Sequence, residues 1–355
     1  MRASLWNTAF LFSVAAIAGA PNAAPALGWL AVAPALHATP DVEERRAVGG
    51  LPAHVAGAFE EIAACHVSPA GEFLVFDRRA HSVYGVHPNA DRPTKIVQIG
   101  AETGRIIHPT AFDSAPDGTF VVADAPGAHQ RIQFFRSTGS ELGGFMMPAA
   151  RVPQITLGDL LLSGIGSLKY TGNGILINQP ELGALVTEYR LNGTALRMFG
   201  ELRTTGQEWD PALHAALNVG LPLLNPKGGY YFVFVSGVPM FRKYDAAGTL
   251  VFERHIEGIE VDQYLRRMPT TWPRRRAGGG EFPIVPAMIR TAAVDRNGNL
   301  WISLTTPYTY VYDGNGDKRR TLQFRAAGIV APTSFFFTTD GRVLVSPGCY
   351  AFSAK

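Results

Sequence analysis

The sequence predicts an all-β fold: a six-bladed β-propeller of four-stranded antiparallel blades, its ring closed by an N-terminal strand. Three observations predict it. A strand–turn–strand unit with a glycine in the turn recurs around Gly71, Gly118, Gly174, Gly228, Gly298 and Gly341. In four copies a second turn glycine follows after 21, 19, 20 or 18 residues, at Gly139, Gly193, Gly248 and Gly316. No long stretch shows the clean 3.6-residue periodicity of a major helix.

Each repeat is legible in the residues. His108–Asp124 aligns without a gap to Ala331–Pro347, and looser copies span Ala63–Asp77 and Ala292–Ser303. The copies around Gly174 and Gly228 are degenerate. Asp-Gly and Asn-Gly supply the positive φ expected of two-residue hairpin turns. The second hairpins, Arg131–Gly139, Leu185–Gly193, Met240–Gly248 and Tyr308–Gly316, are rich in aromatic and β-branched residues. Two hairpins make four strands, and six glycine anchors make six blades. A lone four-stranded sheet leaves both faces wet, so blades stack side by side, and closing the ring protects their edges. Little chain remains after Gly341, so the last blade is expected to take a strand from residues before Glu60.

Before the repeats, Met1–Asn7 carries one charge, Arg2, and Thr8–Ala20 is an apolar run of 13 residues ending Ala18-Gly19-Ala20. This is the pattern of a signal peptide with cleavage after Ala20, followed by an Ala/Pro-rich leader to Ala38. The run is short for a transmembrane helix. No cysteine lies near the cleavage region, which argues against a lipoprotein anchor. The chain is therefore expected in the periplasm or secreted, with residues 39–355 as one propeller domain and no membrane span in the mature chain. A net charge of +3 gives no reason to expect nucleic-acid binding. The mature chain is expected to be a monomer.

Anchor spacings of 47, 56, 54, 70 and 43 residues locate the insertions. The longest gap holds residues 259–288. There Val261–Met268 has the length of two helical turns, and a Pro- and Gly-rich segment follows. Arg266, Arg267, Arg274, Arg275 and Arg276 lie within eleven residues with no acid among them. They make a candidate anion-binding patch on a flexible loop. A second excursion, Glu201–Asn218, carries Trp209 and is placed to cap a face.

The pattern of residues 109–139, Pro-x-x-Phe, Asp-Gly-Thr-Phe-Val-Val-Ala-Asp and Arg-Ile-Gln-Phe-Phe, resembles an NHL repeat of the six-bladed, TolB-like propellers. The resemblance covers nearly all of the chain after the leader. It implies the fold and leaves function open, because this fold carries enzymes, scaffolds and binding modules alike.

Among enzymes of this architecture, the gluconolactonase-like metal-dependent hydrolases resemble the chain in Ala293–Trp301. Their metal is held by a Glu, an Asn and an Asp. Glu60 or Glu61 is available for the first, and Asn218 for the second. Arg290 falls at the third, and a guanidinium does not bind a cation. Asp313–Asp317 has alternate oxygens like the start of a calcium loop, but Phe324 stands at the place of the distal Glu, which favours plain turn chemistry. Cofactors are expected to be none, with calcium as the exception to test.

No nucleophile elbow, phosphate loop or zinc-binding histidine pair is present. His66, His81, His87, His108 and His129 fall in the first two repeats. Inner-strand alignment puts Glu61, His108 and Arg290 on one level near a channel mouth, candidates to hold a small anion or zwitterion. Cys65 and Cys349, in the first and last blades, are either a ring-closing disulfide or two buried small side chains. The leading function is an exported binding module for a small ligand or an envelope protein. The alternative is the metal-dependent hydrolase with its site at the central channel.

Overall fold

The computed structural model describes residues 42–127, 129–147, 155–157, 160–162, 165–277 and 280–355. The leader and its cleavage site lie outside the described residues. The described residues all fall in one compact unit, and no helix among them is long and apolar enough to cross a membrane.

Six four-stranded antiparallel blades form the ring. From inner to outer strand, blade 1 is Ile62–Val67, Phe73–Asp77, Ser82–Val86 and Thr94–Val97. Blade 2 is Ala111–Ser114, Phe120–Asp124, Arg131–Phe135 and Glu141–Met146. Blade 3 is Leu168–Tyr170, Gly174–Gln179, Ala184–Arg190 and Ala195–Phe199, and blade 4 is Gly220–Leu224, Tyr230–Phe234, Met240–Tyr244 and Leu250–His255. Blade 5 runs Ile289–Val294, Leu300–Leu304, Thr309–Tyr312 and Lys318–Arg325. Blade 6 has Ser334–Phe337, Arg342–Ser346 and Tyr350–Ser353, and Gly49–Gly50 supplies its outer strand.

Burial follows the layering. Middle strands are covered on both faces by neighbouring blades, so Phe120–Asp124, Arg131–Phe135 and Leu300–Leu304 are buried at every residue. This is why a segment such as Phe120–Ala123 reads as a continuous apolar run rather than an alternating one. Outer strands such as Leu250–His255 are largely exposed.

The turns differ from the expected form. Most are three-residue loops with a single left-handed glycine, the hairpin type that carries a glycine bulge. In blade 2 the Ala115 N–H donates to Thr119 O at 2.8 Å and the Gly118 N–H to Ala115 O at 3.0 Å. The same pair of bonds recurs at Gly71, Gly228 and Gly298, and at the second-hairpin glycines. One left-handed residue instead of two leaves room for proline at the second turn position, as at Pro69 and Pro116. Blade 3 is the exception. Its left-handed turn glycine is Gly172, not Gly174. Gly174 opens the next strand, where a Cβ would meet Tyr189 O at 2.5 Å. Close backbone approach, not turn geometry, requires that glycine.

Closure of the ring involves more chain than expected. Besides Gly49–Gly50, Val42–Arg46 pairs in parallel with the outer strand of blade 5. Glu44 pairs with Arg325 at 2.7 Å, and Glu43 lies 3.8 Å from Arg320. Across the seam between blades 1 and 6, Cys65 and Cys349 are bonded, with Cα atoms 5.6 Å apart.

The described residues of 259–288 carry secondary structure, where a flexible loop was expected. They hold a helix, Ile259–Arg266, and a hairpin of Arg274–Ala277 with Gly280–Pro283. Residues 201–218 contain a helix, Pro211–Leu217, capped by Asp210, whose side chain accepts from the Leu213 N–H at 3.3 Å.

Candidate functional site: the central channel

In antiparallel blades, the links between blades and the turns between second and third strands emerge at one mouth. Both insertions are inter-blade links, so both belong to that mouth. Aspartates at the ends of second strands anchor the incoming chain there. Asp77 accepts the amides of Glu60 and Glu61 at 2.8 and 3.0 Å. Asp124 accepts the Ile107 amide at 2.9 Å and forms a buried bidentate pair with Arg131.

A cavity of about 270 Å³ at this mouth is lined by all six inner strands, and Glu61, Arg78 and Arg290 are in its wall. Arg78 pairs with Glu61. Arg290 is the extra residue of a β-bulge, because register shifts between Ile289 and Thr291. Such a bulge re-aims a side chain, here into the channel wall. Its Nη2 donates to Thr305 O at 3.2 Å, its Nε is buried without a partner, and no carboxylate pairs with it among the described residues. Burial pushes its guanidinium below the usual range.

A second cavity, about 870 Å³, opens at the opposite mouth. Six residues line both: His66, Asp113, Lys169, Leu224, Ala293 and Phe335, one from each blade in order. They mark the waist of the channel. Blades 1 to 3 supply a polar half and blades 4 to 6 an apolar half. Lys169 Nζ is 2.9 Å from Asp113, which also accepts the Tyr170 amide at 2.7 Å. His66 Nδ1 is 2.6 Å from Ser114 Oγ, and its ring stacks on Phe336 at 4.4 Å. Burial is the largest influence on His66 and drives its pKa down to about 4, so the ring is neutral at pH 7.

The expected trio is therefore divided. Glu61 and Arg290 line the mouth cavity together, whereas His108 is not in its wall and packs against His81, ring centroids 5.3 Å apart. The five insertion arginines are exposed, but Arg274 pairs with Asp210. Arg276 faces Glu281 in the hairpin register. For Arg274, the acid absent from the local run comes from elsewhere in the chain.

Asn218, a candidate metal ligand, is fully buried and bonded to the Arg203 amide and the His214 carbonyl. It closes the Pro211–Leu217 helix and does not line the channel. Asp313 accepts the amides of Asn315 and Asp317 and pairs with Arg319, so its oxygens serve the turn.

Sequence reasoning missed Asp113, Lys169 and Arg78, and treated His66 only as one scattered histidine. The signal for Asp113 was present. In the gapless repeat alignment it stands opposite Phe336, an acid set against an aromatic on an inner strand.

No family model matches the chain, and no curated protein is significantly similar to it. Solved structures are similar at low identity. A streptogramin B lyase is 12% identical, with 83% of this chain and 94% of that one covered and a TM-score of 0.47. BamB from Moraxella catarrhalis is 11% identical, over 81% of this chain and 71% of that one, with a TM-score of 0.40. A protein of unknown function from Bacteroides caccae is 15% identical, over 73% and 80%, with a TM-score of 0.41. Likenesses at this level carry no argument about activity.

Proposed function

We propose that the chain is an exported binding module that holds a small anion, of the carboxylate or phosphate class, in the central channel. One observation carries this reading: Arg290 is a half-buried cation in the cavity wall with no carboxylate of its own and an Nε that lacks any partner. With Arg78 it sets two guanidinium groups against the carboxylate of Glu61, while Asp113, deeper in the same cavity, is paired with Lys169. An arriving anion would satisfy the free donors with charge-assisted bonds. The half-apolar waist below favours a ligand with an apolar body behind its anionic group. His66, Asp113 and Lys169 would meet any polar atoms on the other side.

The test is a thermal-shift and calorimetric screen of monocarboxylates, dicarboxylates and phosphate esters. Arg290→Ala removes a charged hydrogen bond of about 1.5–3 kcal/mol, so binding should weaken roughly 10- to 100-fold. A panel without a single binder, or a binder indifferent to Arg290→Ala, rejects the channel site. Capture of an envelope protein through the loops would then become the working reading.

A further inference from the structure

His81 and His108 are brought together by two unusual backbone conformations. His81 has φ +47° and His108 has φ +48°, both left-handed. His81 ends the turn before the third strand of blade 1, its N–H donating to Arg78 O. The matching residue of blade 3 is Gly183, whose N–H donates to Pro180 O at 3.0 Å with φ +91°. Blade 3 fills this left-handed position with glycine, the residue that adopts it without strain. Blade 1 fills it with an imidazole, whose Cβ makes this conformation costly.

The cost brings two rings together at 5.3 Å between centroids, with 68° between their planes. Two imidazoles sharing a tetrahedral metal at about 2.0–2.1 Å per bond have centroids about 5 Å apart. His81 Nδ1 is buried and has no hydrogen-bond partner. A buried nitrogen left in that state is destabilising. Glu60 is exposed, its carboxylate forms no hydrogen bond or ion pair among the described residues, and it acts electrostatically on His81. The other nearby acids are engaged: Asp77 by the amides of Glu60, Glu61 and Ala80, and Glu61 by Arg78.

We propose that His81 and His108 form a binding site for a divalent transition metal of the zinc, nickel and copper class. Imidazole suits these metals, whereas calcium and magnesium prefer oxygen. No three His, Cys, Asp or Glu side chains already converge among the described residues. The two imidazoles are therefore the core of the site, completed by water or by rotation of the Glu60 side chain. This site is separate from the channel wall around Arg290 and does not depend on a channel ligand.

The experiment titrates untagged, EDTA-stripped protein with zinc chloride and with nickel chloride at pH 7.5, by calorimetry. His81→Gly copies the glycine of blade 3 and keeps the backbone, and His108→Asn keeps a residue tolerant of the left-handed region. His87→Ala is the control. One equivalent of metal is expected, with at least 10-fold weaker binding in each variant and none lost in the control. Melts in EDTA report folding, and His81→Gly should melt no lower than the parent. Should His108→Asn fail to fold, His81→Gly decides alone. Wild-type affinity in His81→Gly, or no heat of binding from the parent with either metal, overturns the proposal and leaves the pair an edge-to-face packing contact.

Discussion

Asp113 and Lys169, on the inner strands of neighbouring blades, form an ion pair of 2.9 Å inside the channel. The carboxylate is nearly buried, and it also holds the Tyr170 amide at 2.7 Å. The pair thus ties blade 2 to blade 3 at the waist. Removing one partner leaves the other charge without compensation, which is more destabilising than removing both. Asp113→Ala should lower stability by about 2–4 kcal/mol, because it strands both Lys169 and the amide. Lys169→Met should also be destabilising, because it leaves the nearly buried Asp113 carboxylate without its cation. Urea melts of both variants and the double variant check this. A double variant as damaged as the sum of the singles would show that the two residues are not coupled.

Stability should depend on pH through two groups of opposite sign, His66, which is buried, and Glu181, which is partly buried. His66 is lowered from 6.5 to about 4 by burial. Between these values the unfolded chain binds the extra proton, so this contribution rises with pH and is lost as pH falls from 6.5 towards 4. Its full size is about 3 kcal/mol. Glu181 is raised from 4.5 to about 7, again by burial, and its Oε2 has no partner. Between those values the folded chain binds the extra proton, so stability falls as pH rises. The two slopes oppose each other where the windows overlap. Chemical melts of the parent from pH 4.5 to 6.5 give the reference slope. Glu181→Gln should expose a rising slope and His66→Gln a falling one. A parent slope unchanged by either substitution would refute the assignment.

The ring, its six blades and the closing strand were readable because turn glycines and apolar middle strands repeat along the chain. The turn glycine of blade 3 was misplaced for a physical reason. Gly172 and Gly174 are two residues apart, and both positions require glycine, one for positive φ and one for contact with Tyr189 O. Sequence cannot distinguish the two requirements. The site was less legible. Glu61 and Arg290 were placed near a mouth by repeat alignment, but the bulge that turns Arg290 and the partner that takes Glu61 depend on strand register. Arg274 looked unpaired because its acid, Asp210, is 64 residues away. Val42–Arg46 lies beside the leader and has none of the repeat's aromatic residues, so nothing marked it as a fifth strand for blade 5.

The Cys65–Cys349 bond closes a loop with a sequence separation of 284 residues across the ring seam. Loss of a native disulfide typically lowers stability by about 2–5 kcal/mol, and long loops lie at the upper end of the chain-entropy model. Protein purified from an oxidising compartment should show no free thiol under denaturing conditions, and two after reduction. Cys65→Ser with Cys349→Ser should lower the urea midpoint by a matching amount. Two free thiols before reduction would contradict the bonded geometry.

The two N-terminal strands should differ sharply in their value to the fold. Val42–Arg46 adds to an outer edge, is exposed or half-exposed along its length, and is held by backbone pairing with Lys318–Arg325 and by ion pairs from Glu43 and Glu44. Surface ion pairs contribute at most about 1 kcal/mol each, so a chain starting at Ala47 should fold and lose only a few degrees of melting temperature. Gly49–Gly50 is shorter but completes blade 6, and a Cβ on Gly50 would meet Cys349 O closer than any van der Waals contact. Leu51 behind it is buried in the cluster that joins the first and last blades. A chain starting at Leu51 leaves the outer edge of blade 6 unpaired and frees the chain that enters blade 1. Its melt should broaden or lose cooperativity, and amide exchange should rise first in Tyr350–Ser353. Equal stability for the two truncated chains would mean that the ring does not depend on this closure.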